Sequence, residues 1–90
     1  MKFAINTCYG GYGLKNEYAE YEGMERNDPR LIAKIEEIGA EAISDEYAEI
    51  TLVYVPDEAT DWELDEYDGY EALRYVLNGK IQYAEEIEGA

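Results

Sequence analysis

The sequence predicts an α+β fold: an N-terminal strand, two short helices, then an antiparallel meander of three or four strands. All the strands are expected in one sheet, with the helices on one of its faces. Three observations predict this. Apolar residues recur at helical spacing between Leu31 and Ile38. Two hairpin dipeptides, Asp68-Gly69 and Asn78-Gly79, punctuate the C-terminal third. Apolar and polar residues alternate on the approach to the first of them.

The elements follow in chain order. From Lys2 to Thr7 the chain alternates, with Phe3, Ile5 and Thr7 on one face and Lys2, Ala4 and Asn6 on the other. That is the pattern of a half-buried strand. Gly10-Gly11-Tyr12-Gly13 breaks it. A short helix is expected from about Asn16, which can cap it, while Glu17 suits its positive end. Leu14, Tyr18 and Tyr21 lie at helical spacing and should pack inward. Asp28 caps a second helix, with Pro29 in its first turn. Leu31, Ile32, Ile35 and Ile38 form its apolar stripe, and Gly39 stops it.

Ile50–Val55 is β-branched and aromatic and ends at Pro56, as a strand does. Residues 61–67 form the next strand. Pairing about Asp68-Gly69 sets Tyr67 opposite Tyr70, Leu64 opposite Leu73, Glu63 opposite Arg74 and Trp62 opposite Tyr75. The large apolar pairs then share one face and the opposite charges the other, which fixes the register. The Asn78-Gly79 turn sets Val76 opposite Ile81 and leads into Lys80–Tyr83. Glu85, Glu86 and Glu88 fall in a tail, 84–90, expected to be frayed or helical.

Ninety residues allow one domain, 1–90, that buries only about 60–65% of its unfolded surface. Charge divides it. The 22 acids and 7 bases give −15. Residues 1–35 balance five acids against five bases, so residues 36–90 carry the whole excess, and 41–71 hold twelve acids and no base. Too few bases exist to displace counterions from nucleic acid directly. With no histidine, Ser-His-Asp and Cys-His catalysis are excluded, and no enzyme is expected. The longest apolar runs fall far short of the ~20 residues of a membrane span, and the N-terminus lacks a secretory pattern. One cysteine, Cys8, rules out an internal disulfide and fits a reducing cytoplasm.

With Trp62 and Leu64 facing the core, Asp61, Glu63 and Asp65 point together into solvent, roughly 6.6–6.8 Å apart along the strand. Such a row can occupy the Lys and Arg groups that otherwise hold a regular series of phosphates. Asp57, Glu58, Asp68 and Glu71 extend it from neighbouring turns. The other reading of the row is edge protection, since charge on an edge strand blocks aggregation. Ten tyrosines against one Phe and one Trp add large contact area with a polar tip. Tyr67 and Tyr70 are the expected anchors within the acidic stretch.

Cys8-Tyr9-Gly10-Gly11-Tyr12-Gly13-Leu14 has the look of a phosphate cradle, but lacks the Lys and Ser or Thr of a P-loop and the G-x-G-x-x-G spacing. A tight strand-to-helix turn with at least one glycine at φ > 0 is the simpler reading. Cys8 has no base or cation nearby in sequence and is expected to be an unreactive thiol. No cofactor is expected, and no resident metal. Asp57–Asp61 is the best position for adventitious calcium, though no spacing resembles an EF-hand.

Asn6–Leu14, Asp28-Pro29-Arg30-Leu31-Ile32 and Trp62–Gly69 together resemble a group of small, uncharacterised phage and prophage proteins. They share an N-terminal Cys-Tyr-Gly-Gly-aromatic-Gly loop and a Glu-Tyr-Asp-Gly turn. The resemblance covers roughly residues 1–75, and the tail after Leu77 departs from it. It implies a phage origin and carries no catalytic residue. With the charge, it leads to the expectation of an acidic inhibitor of bacterial defence. Such a DNA mimic would bind a basic nucleic-acid channel, of a CRISPR effector (as an anti-CRISPR) or of a restriction nuclease. The expected contacts are Asp57, Glu58, Asp61, Glu63, Asp65, Glu66, Tyr67, Asp68, Tyr70 and Glu71. A nucleotide-binding or nucleotide-sequestering module using the Cys8–Gly13 loop is the alternative, followed by a plain structural or regulatory phage protein.

Overall fold

A computed structural model describes residues 1–87 and builds two three-stranded antiparallel sheets, not one. In the first, β1 (Lys2–Asn6) pairs with β2 (Ile50–Tyr54), setting Phe3 opposite Val53 and Ala4 opposite Leu52. In the second, β3 (Asp61–Tyr67), β4 (Tyr70–Leu77) and β5 (Lys80–Tyr83) follow one another as a meander. The tail then crosses back: β6 (Glu85–Glu86) pairs with Val53 and Tyr54 on the open side of β2. Residues 84–87 are therefore neither frayed nor helical. Ala84 donates its N–H to Leu73 and Ile87 to Leu52, so this segment fastens one sheet to the other. The rest of the expected frayed tail, Glu88–Ala90, lies outside the described residues.

The α+β class stands, but the single sheet with helices on one face is corrected to three layers. Ala4, Ile50 and Leu52 pack against the helices with Leu31, Ile32, Ile35 and Ile43. From the opposite face of the same sheet, Phe3, Ile5, Val53 and Val55 pack against Leu73 and Tyr75 of β4. The first sheet is thus covered on both sides. β1 is buried from Phe3 through Asn6, not half-buried as its alternation suggested. The continuous burial of β2 from Ile50 through Val53, Thr51 included, has the same cause, since both faces of the strand are covered. Strands β3 to β5 form an outer layer in which β4 alternates buried Glu71, Leu73 and Tyr75 with more exposed neighbours, whereas β3 and β5 have no buried position and Trp62 stays 42% exposed.

Among the described residues the helical layer has three members rather than two. A 3-10 turn at Asn16–Tyr18 runs into α1 (Ala19–Glu22), without a side-chain cap from Lys15. Helix α2 (Pro29–Ile38) starts as expected: the Asp28 carboxylate accepts from the Arg30 N–H and Pro29 occupies the first position. Gly39, at φ 96°, ends it and opens the unexpected α3 (Ala40–Ile43). Ile43 is fully buried there, while Leu14 bridges to Ser44. Complete burial of such side chains contributes about 1.5–3 kcal/mol each.

Both hairpins form in the expected register. Tyr67 faces Tyr70, Leu64 faces Leu73, Glu63 faces Arg74, Trp62 faces Tyr75 and Val76 faces Ile81. Asp68 and Gly69 sit at φ 50° and 88°, Asn78 and Gly79 at 52° and 76°. Positive φ at both central residues is what a two-residue turn matched to strand twist requires.

Candidate functional site

The outer face of the second sheet is built by parity. Asp61, Glu63, Asp65 and Tyr67 leave β3 on the side away from Leu64, and Tyr70, Ala72, Arg74 and Val76 leave β4 on that side opposite them. Ile81 and Tyr83 continue the rows from β5. Read across the strands, the rows are Asp61–Val76–Ile81 and Glu63–Arg74–Tyr83. The three carboxylates do line up in solvent. They are not a bare anionic row, however, because the Arg74 guanidinium donates to Glu63 at 2.9 Å and lies 3.4 Å from Asp65.

The remaining expected contacts divide. Glu58 and Asp68 are exposed on the turns at the two ends of the hairpin. Asp57 is exposed but held 3.0 Å from the N-terminal ammonium. Glu66 is exposed and turned to its own turn, accepting the Gly69 N–H at 3.0 Å. Tyr67 projects freely, whereas Tyr70 leans on the ring of Tyr9 with centroids 5.3 Å apart.

Glu71 is placed where no partner can reach it. It shares the inward side of β4 with Leu73 and Tyr75 and is 5% exposed. Arg26 grips it with two donors, at 2.6 and 2.8 Å, and the Asn6 N–H donates at 2.8 Å. Arg26 also donates to the Ala4 carbonyl and receives the Ala4 N–H at its own carbonyl. Together the pair satisfies the open edge of β1. The Arg26 guanidinium lies 3.4 Å over the Tyr12 ring, a cation–π contact. Burial pushes the Tyr12 phenol above its ordinary range, Arg26 pulls it back in part, and Glu71 and Glu22 add to the rise. Its buried hydroxyl finds no hydrogen-bond partner among the described residues.

The glycine-rich loop is occupied by packing. A Cβ on Gly10 would stand 1.7 Å from the Tyr47 carbonyl oxygen, and one on Gly69 would stand 2.6 Å from the Gly11 nitrogen. The tip of the β3–β4 hairpin and the turn at 45–48 therefore press on this loop from two sides. Gly11 takes φ 92°, as one of the loop's glycines was expected to. Cys8 Sγ lies 3.2 Å from the Tyr47 carbonyl and 3.4 Å from Asn6 Oδ1, beside acceptors rather than cations. Among the described residues no group of three acids or thiols is arranged to hold a metal ion, Asp57–Asp61 included.

Sequence reasoning missed two features here, the buried role of Glu71 and the apolar column of Val76, Ile81 and Tyr83. Both follow from the register, since Glu71 shares parity with Leu73, and Ile81 with Arg74 through Val76. No protein-family model matches the chain, and neither does any curated protein or solved structure.

Proposed function

We propose that this protein is a non-catalytic inhibitor that places the acidic outer face of β3–β4–β5 in a basic, nucleic-acid-binding channel of a bacterial defence nuclease. A CRISPR effector is the first candidate and a restriction enzyme the second. A phage origin and action in the host cytoplasm belong to the same proposal. The observation that carries it is the co-facial row of Asp61, Glu63 and Asp65 on a sheet of fixed register, in a chain of net charge −15. Glu58 and Asp68 extend the row, Tyr67 and the exposed Tyr70 serve as anchors, and Glu71 is withdrawn from it by its contact with Arg26. A net charge of magnitude about 2–8 suffices for the solubility of a small domain, so the excess fits a surface that meets cations. The loop reading draws no support from the packing around Gly10.

The test is capture on the immobilised protein from a bacterial lysate at low salt, elution with duplex DNA, and a cleavage assay on what is released. The expected result is a nuclease whose activity the protein inhibits, with affinity falling steeply as salt rises. Unchanged capture by a variant carrying Asp61→Lys and Glu63→Lys would overturn the proposal, as would a retained set containing no nucleic-acid-binding protein.

A further inference from the structure

The outer face carries two columns, and only one of them is acidic. Along β3 run Asp61, Glu63 and Asp65, and along β5 run Ile81 and Tyr83, with Val76 and Arg74 between them. Ile81 is 64% exposed and Tyr83 59%, adjacent on one strand and on the same wet face as the carboxylates. Charge mimicry of phosphates needs only the carboxylates, so the exposed Ile81 and Tyr83 add apolar contact area beyond it. A groove of about 240 Å³ lies here, lined by Asp61, Glu63, Arg74, Val76 and Ile81 and by Trp62 and Tyr75.

The face carries an internal precedent for holding a guanidinium. Arg74 already seats a guanidinium on the row, 2.9 Å from Glu63 and 3.4 Å from Asp65. One place further along, the Asp61–Val76–Ile81 row has the same carboxylate column but Val76 in place of an arginine. Asp61 Oδ2 and Glu63 Oε1 accept no hydrogen bond among the described residues. An incoming arginine would repeat the Arg74 arrangement there, its stem on Val76 and Ile81 and its head on Asp61 and Glu63. Arginine suits this better than lysine: its planar fork meets two carboxylate oxygens and is more weakly hydrated.

We propose that this face is a docking site for an amphipathic, arginine-bearing segment of a protein partner, with the Asp61–Val76–Ile81 row as an arginine seat and Tyr83 as the apolar shoulder beside it. The inference rests on reading the acidic row as a binding surface and adds that the apolar column supplies part of the affinity. The partner is then recognised as a protein segment, and not by cationic charge alone.

Two synthetic probes separate these ideas: a helix-forming peptide with arginines along one edge of a leucine face, and an oligo-arginine with the same number of arginines. Binding is followed by amide shifts of the labelled protein and by titration calorimetry. The amphipathic peptide should bind at least about tenfold more tightly. It should move the signals of Asp61, Glu63, Val76, Ile81 and Tyr83, and lose affinity when lysine replaces arginine. Ile81→Ser, at an exposed position, should cancel its advantage and leave oligo-arginine binding unchanged. Equal affinities, or shifts confined to β3, would overturn the docking site while leaving the inhibitor proposal standing. Absence of any shift on β3 with either peptide would overturn both.

Discussion

Arg26 and Glu71 show how much one pair can organise. Among the ion pairs of the described residues, theirs has the most buried carboxylate, and it joins the segment before α2, the edge of β1 and the start of β4. Removing one partner leaves the other uncompensated in a dry place, so Arg26→Ala or Glu71→Ala should each cost about 3 kcal/mol. The double variant should cost clearly less than their sum, as a urea-unfolding cycle would show. Tyr12→Phe is expected to do the reverse of most core changes. It deletes a hydroxyl that has no partner and keeps the ring under Arg26, so stability at neutral pH should hold or rise by up to about 1 kcal/mol.

The same substitution has a pH signature. The native phenol titrates above its ordinary value of 10.0, so the folded state holds this proton more tightly than the unfolded chain. The group therefore costs no stability below about pH 10, and stability falls as pH climbs from there toward the folded value. Unfolding melts of Tyr12→Phe should therefore fall less steeply above pH 10 than those of the parent protein. Arg74→Gln tests the outer face from another side. Its exposed pair contributes about 0–1 kcal/mol to stability, whereas its loss frees two carboxylates. Affinity for a basic partner should rise while the melting temperature hardly moves.

At the scale of elements, the β3–β4 hairpin and the glycine-rich loop form one packed unit, and the two kinds of glycine in the loop should separate on substitution. Gly11→Ala meets open space and costs only the penalty of a left-handed backbone, about 1–2 kcal/mol. Gly10→Ala drives a methyl into the Tyr47 carbonyl and should cost more, because backbone must move. Chemical denaturation of the two variants orders them. A second element-level expectation concerns β6. Deleting the chain after Tyr83 removes the strand that covers β2, together with Ala84 and Ile87 from the two cores. The truncated protein should unfold at lower urea and aggregate through the exposed edge, visible in light scattering. A merely frayed tail would leave both measurements unchanged.

For the whole molecule, charge opposes compactness. An excess of fifteen negative charges repels itself in the folded state, and salt screens that repulsion. Added sodium chloride at neutral pH should raise the melting temperature, because the exposed ion pairs it weakens contribute little. Acid acts on one identifiable group at the start of α2. Side-chain bonding to Arg30, then the Arg30 N–H, holds the Asp28 carboxyl below its ordinary range. Its support of the helix is present above the unfolded value and is lost as pH falls through the lowered one. Asp28→Ala should accordingly destabilise the protein at pH 7 and have little effect in strong acid, as paired thermal melts would show.

Local chemistry determined what the sequence made legible. Asp28-Pro29 and Gly39 bound α2, and the two hairpin dipeptides fix the registers that put Asp61, Glu63 and Asp65 on one face. Capping, φ restriction and pleat parity act over a few residues and need no distant partner. Tertiary structure alone decided where those pieces dock. Neither Lys2–Asn6 nor Ile50–Tyr54 states that helices cover one of its faces and a second sheet the other. Nor does Glu85-Glu86 state that it will pair with β2. Ala4 and Asn6 read as polar-side positions until other layers bury them. Glu71 was counted with the acidic surface because charge is visible in composition, whereas Arg26, 45 positions away, becomes its partner only when β1 lies between them. Burial of a charge depends on contacts between segments far apart in the chain, and only the folded chain brings those together.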